Sequence, residues 1–156
     1  MANEGVVFGG DIMLYENTGT DVAPVWSPFA HATSHSRSGT TNMRERAHKD
    51  DGGATGVKPG RHTPGTINIS GLKSYDGKDY DDLEEKRLNR TRIQYKYSGR
   101  PTGDTDAIDT VEDTGDTYWE GYCYVSECST EDPVDGDSTY SATLTQDGVA
   151  TKKTVS

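Results

Sequence analysis

Thr66-Ile67-Asn68-Ile69-Ser70 alternates apolar with polar side chains. A strand sends successive side chains to opposite faces, so this stretch predicts a β-strand with Ile67 and Ile69 turned inward. The period recurs from Thr91 to Tyr97, with Ile93, Tyr95 and Tyr97 opposed to Arg92, Gln94 and Lys96. It recurs again from Tyr118 to Glu127, where Trp119, Cys123 and Val125 oppose Glu120, Tyr122, Tyr124 and Ser126. Asp11 to Tyr15 and Thr139 to Thr145 read as further strands, while Pro24 and Pro28 confine Val25-Trp26 to an edge or an irregular stretch. Tyr80 to Asn89 is the helix candidate. Asp79 stands at its N-cap, Asp81 and Asp82 in its first turn, and Lys86-Arg87 at its end, in keeping with the helix dipole. Tyr80, Leu83 and Leu88 give it one narrow apolar face. The expected fold is mainly β: a small β-sandwich or barrel with one packed α-helix, its core built from Ile67, Ile69, Leu83, Ile93 and Trp119.

The chain's 156 residues suit a single domain spanning 1–156, and an apolar fraction of 30% leaves its core lean. Such a domain gains much by burying surface against copies of itself. The net charge of −10 is unevenly spread. Residues 1–36 hold four acids and no Lys or Arg, residues 37–100 fourteen bases against nine acids, and residues 101–156 two bases against thirteen acids. That asymmetry fits either solvated faces or a head-to-tail assembly in which a basic surface meets an acidic one. No leader-like segment and no apolar run of the ~20 residues that a membrane span needs is visible, so the expectation is a protein made in the cytoplasm, without membrane insertion.

Residues 33–49 are polar and extended in character. Residues 50–64 contain four glycines and two prolines, with Val57 as the one large apolar side chain. This composition predicts a long extended loop at about 37–64, without enough burial to order itself. Acidic loops are expected at 99–117 and 131–137.

Chemical constellations are weak. His31 and His35 are four apart, but Pro28 and the surrounding Ser and Thr argue against a helix, and no third metal ligand stands at a useful spacing. The acids from Asp104 to Asp116 lack the Gly and Glu positions of a calcium loop. Cys123 and Cys128, on one strand, would place their Cα atoms roughly 16 Å apart, too far for a disulfide. Arg90, Arg92 and Lys96 lie on the strand face opposite Tyr95 and Tyr97, so nucleic-acid bases could not stack while phosphates were held; pairing with Glu120 and Glu127 is the expectation. No nucleophile elbow or phosphate loop is present. The reading is a non-enzyme with no cofactor.

Order and content together resemble the major tail tube proteins of long-tailed bacteriophages and the related tubes of gene transfer agents. The matching pieces are Gly10-Asp11-Ile12-Met13-Leu14-Tyr15, Ala32-Thr33-Ser34-His35-Ser36 leading into Thr40-Thr41-Asn42-Met43, and Lys49-Asp50-Asp51-Gly52-Gly53. Thr66 to Leu72, the helix, Thr91-Arg92-Ile93-Gln94-Tyr95, Gly121 to Val125 and Tyr140 to Gly148 follow in the same order. The sequence departs from the pattern at Thr66, where an aromatic is usual, and in the length of the acidic stretch 99–117.

The resemblance implies a tail-tube-like fold assembling into hexameric rings that stack into a conduit for viral DNA. Barrel diameter grows with strand number, and 16–18 strands already leave a water-filled channel, so several copies with a few strands each are needed to surround a duplex. The implied partners are further copies of the chain, a tape-measure protein, tail terminator and tip proteins, and double-stranded DNA in transit without specific binding. The implied location is the virion tail, with host cytoplasm during assembly. Asp50, Asp51, Lys58 and Arg61 are the expected ring-stacking residues and Glu120 the expected lumen residue. The alternatives are a secretion or injection-system tube and a β-sandwich binding or decoration module of the virion.

Overall fold

The computed structural model describes residues 12–29, 32–47, 55–77, 79–99 and 115–155. The elements are β1 (Ile12–Asn17), β2 (Trp26–Pro28), β3 (Ala32–Ala47), β4 (Thr55–Leu72), α1 (Tyr80–Leu88), β5 (Ile93–Gly99), β6 (Thr117–Glu131) and β7 (Thr139–Thr154). All seven strands join one antiparallel sheet in the order β2-β1-β5-β6-β7-β4-β3. The fold is mainly β with a single helix among the described residues, as the alternating segments predicted.

The sheet bends back on itself. β6 and β7 are long enough to serve both halves, and register shifts between Glu120 and Tyr122 and between Val125 and Glu127 let them turn the corner. The His35 ring of β3 consequently meets the Tyr97 ring of β5 edge-on, centroids 5.4 Å apart. Between the halves lies the core: Leu14, Phe29, Ile67, Ile69, Leu83, Ile93, Tyr95, Cys123, Val125, Tyr140, Ala142 and Leu144. Gly121 lets Tyr95 pack closely, because a Cβ on it would stand 3.0 Å from the Tyr95 phenol oxygen and push that buried ring by a few tenths of an ångström.

α1 covers β6, with Leu83 inserted into the core. The Asp79 carboxylate caps it by accepting from the Tyr80 amide at 2.6 Å and from the Ser74 amide. Lys86 ties the helix to β1 through Glu16 at 2.6 Å and donates to Asp82 at 2.9 Å. Burial opposes the Lys86 ammonium, but the two carboxylates outweigh it and raise its pKa. Leu88, expected on the apolar face, is exposed instead, because the helix presents only Leu83 and Tyr80 to the sheet.

Two further expectations need correction. The long loop at 37–64 is strand over most of its length: β3 runs to Ala47 and β4 begins at Thr55, paired from Ala47↔Thr55 to Ala32↔Gly71. Absence of large apolar side chains precludes a core, but it does not prevent a backbone ladder. Trp119 faces the same side as Cys123, as the alternation required, yet it is 36% exposed at the rim. The Arg37 guanidinium stacks on its ring 4.8 Å from the centroid, so Trp119 lids the core rather than filling it.

Candidate functional site

Three surfaces remain once the core is assigned. The first is the outer face of β6-β7-β4-β3, where each strand turns its small polar residues outward. Three rows cross it in register: Ser34, Ser70, Ser141 and Ser129; then Ser36, Asn68, Thr143 and Glu127; then Ser38, Thr66, Thr145 and Tyr124. Neighbouring hydroxyls bond across strands, Ser34 to Ser70 at 2.6 Å, Ser129 to Ser141 at 2.6 Å and Ser38 to Thr66 at 3.0 Å. Thr143 donates to the Asn68 side-chain oxygen at 3.1 Å. Glu127 is the one charged group in these three rows. The sequence signal was the run Ser34, Ser36, Ser38 at period two; its meaning depended on three partner strands that only the register reveals.

The second surface is the outer face of β2-β1-β5-β6, which is aromatic and charged. Lys96 is only 7% exposed, with its ammonium 4.3 Å from the Tyr118 ring centroid and 5.9 Å from that of Trp26. Arg92 lies 3.8 Å over Tyr122 and pairs with Asp147 at 2.9 Å. Glu120, the expected lumen residue, sits here beside Lys96 in register. Its carboxylate accepts from Gln94 at 2.6 Å and from Lys153 at 3.0 Å, and its side chain is 15% exposed. Of the bases expected to pair with Glu120 and Glu127, Lys96 stands opposite Glu120 in register, whereas Arg92 pairs with Asp147, because β7 as well as β5 borders β6.

The third surface is an arm. β4 pairs with β7 only from Thr66 to Leu72, so its first part, from Thr55 to Gly65, has β3 as its one strand partner. Eight residues of β3, Thr40 to Ala47, paired with nine of β4, Thr55 to Thr63, project roughly 25 Å at ~3.3 Å per residue. Residues 40–46 and 56–63 are exposed, apart from half-buried Thr41 and Gly60. Lys58 and Arg61 stand on this arm, Lys58 opposite Arg44. Asp50 and Asp51 lie outside the described residues, as do His31 and most of the acidic stretch 99–117. Glu120 is on β6, not on the arm that carries Lys58 and Arg61. No group of three or more His, Cys, Asp or Glu side chains that could hold a metal occurs among the described residues.

No protein-family model and no curated protein matches the chain. Solved structures do match its fold. The tail of an empty GTA particle, described with C6 symmetry, superposes with a TM-score of 0.69 at 10% identity over 94% of this chain and 98% of that one. The SPP1 tail tube gives 0.65 at 14% over 97% and 81%. The sheath/tube terminator of an extracellular contractile injection system gives 0.66 at 14% over 97% and 99%. The chain therefore has the tail-tube fold, across essentially its whole length.

Proposed function

We propose that the chain is the structural subunit of a phage-like tail tube, in which hexameric rings stack into a conduit for double-stranded DNA. The observation that carries this reading is the outer face of β6-β7-β4-β3, a nearly uncharged sheet surface bounded by β3, the edge strand among the described residues. Six copies contributing four strands each would close a barrel wide enough for a water-filled bore. Its wall would be the hydroxyl rows, with Glu127 as their acid. Duplex phosphates bind where cations neutralise them and release counterions, so a wall without fixed cations lets DNA slide. This replaces Glu120 as the proposed lumen residue, since its carboxylate is already held by Gln94 and Lys153.

The same reading places the protein in the particle tail, assembled in the host cytoplasm around a tape-measure protein and closed by terminator and tip proteins. It assigns the chain no enzymatic role. A tube of a contractile injection system is the second reading, favoured by the match to such a system's sheath/tube terminator, and it would differ in cargo. Electron microscopy of the purified protein tests the proposal. Hollow tubes of uniform width are expected, and compact monomers at every concentration and salt would overturn it in favour of a binding or decoration module.

A further inference from the structure

A cleft of about 230 Å³ opens where β3 and β4 leave the body, beside Trp119 of β6 and residues 146–150 of β7. Arg37, His62, Pro64, Trp119, Gln146 and Val149 are among its walls, and no Asp or Glu is. The chain as a whole carries a net charge of −10, so a cleft with a cation and no acid runs against its composition. Asp147, next to Gln146 in sequence, points to the opposite face of β7, where it pairs with Arg92 at 2.9 Å.

Arg37 is half-buried, yet among the described residues no carboxylate meets its guanidinium. Arg87 and Arg92, by contrast, pair with Glu84 and Asp147. The stack on the Trp119 ring, 4.8 Å to the centroid, accounts for the position of the guanidinium but supplies no acceptor oxygen. The Arg37 Nε is buried without a hydrogen-bond partner, and so is the Tyr95 hydroxyl. Burial raises the pKa of that phenol, and the Arg37 charge beside it offsets part of the rise. Buried polar groups and half-buried cations are ordinarily paired, because each gives up its hydration on leaving water. An incompletely satisfied arginine at the wall of a cleft is therefore a place for an acceptor from outside the chain.

We propose that this cleft receives a single carboxylate group borne on a small flat or apolar body. A planar guanidinium offers a fork of donors that matches the two oxygens of a carboxylate. The Gln146 amide, 8% exposed, adds a polar group to the same wall, and Trp119 and Val149 supply apolar surface for the body that carries the acid. One cation among apolar walls suits a singly charged planar group better than a phosphate dianion, whose second charge would be left unpaired. The group comes either from a free organic acid or from an Asp or Glu side chain of another protein. The site lies apart from the hydroxyl rows and stands whether or not the tube reading does.

The test reads tryptophan fluorescence in the full chain carrying Trp26→Phe, which leaves Trp119 as the single reporter of the two tryptophans. Sodium benzoate, titrated at constant ionic strength against sodium chloride, is expected to change the emission saturably at about millimolar concentration, while benzamide, its neutral counterpart, does not. Arg37→Gln should weaken the benzoate response by about tenfold or more. Val149→Glu, at a 73% exposed position on the rim, should weaken it to a similar degree, because the tethered carboxylate competes for the guanidinium; it decides the matter if Arg37→Gln fails to fold. A response to poly-L-glutamate but not to benzoate, lost in the same variants, would keep the site and assign the group to a protein side chain. Equal responses to benzoate and benzamide, no response to either acid, or a response that both variants retain would overturn the proposal.

Discussion

β3 and β4 are one hairpin with two lives. Between Thr66 and Leu72, β4 has β7 on one side and β3 on the other, and Ile67 and Ile69 are sealed in the core. Between Thr55 and Gly65 the same strand has β3 as its one strand partner among the described residues, and Val57 and Lys58 are exposed. The backbone ladder is alike in both parts. What differs is burial, at roughly 25 cal/mol per Å² of apolar surface, which the body collects within the chain and the arm does not. The body's stability is intramolecular, and under the proposed tube reading the arm gains its order from assembly.

The largest expected effect is in the body. Ile67→Ala or Leu144→Ala, at positions with no exposed surface, should cost about 2–5 kcal/mol in chemical denaturation. A variant as stable as wild type would mean that the core is misplaced. Gly121→Ala should follow at about 1–3 kcal/mol, because the added methyl presses on the fully buried Tyr95 ring. Trp119→Ala should cost about 1–2 kcal/mol, less than Ile67→Ala despite the larger side chain, since the ring is a partly exposed lid. A cost above that of Ile67→Ala would return Trp119 to the core. Excising residues 44–58 and joining Met43 to its partner Pro59 through an Asn-Gly turn should change stability by no more than about 0.5 kcal/mol while abolishing tubes. Loss of folding would show that the arm supports the body after all.

Alkaline conditions probe the same core. Burial pushes the Cys123 thiol up to about 12 and the Cys128 thiol up to about 11 from an ordinary 9.0. Above pH 9.0 the unfolded chain loses these protons while the folded one keeps them, so stability present below that pH should fall progressively towards pH 11–12. Pulsed thiol labelling at pH 8 should modify the denatured protein and spare Cys123 in the native one. Equal labelling of both states would contradict the buried position.

Period-two alternation revealed the inner faces of β4, β5 and β6, and the charges flanking Tyr80 revealed α1. Those signals are local, written in neighbouring residues. Trp119 was misjudged because alternation gives the face of a strand and not its distance from the rim, which the length of the partner strands sets. The arm was read as loop because a ladder between Thr40-Thr41 and the Gly/Pro-rich stretch needs no apolar side chains and so leaves no periodic trace. The hydroxyl face was illegible for a third reason: Ser36, Asn68 and Thr143 come from three distant segments and gain meaning only in register.

Amide hydrogen exchange on free subunits and on assembled tubes tests the division between body and arm most directly. Protection across 66–72 in both states, with 56–63 exchanging fast in the free subunit and slowly in the tube, is the predicted result. An arm that is equally protected in the free subunit, or one that still exchanges fast inside the tube, would contradict it.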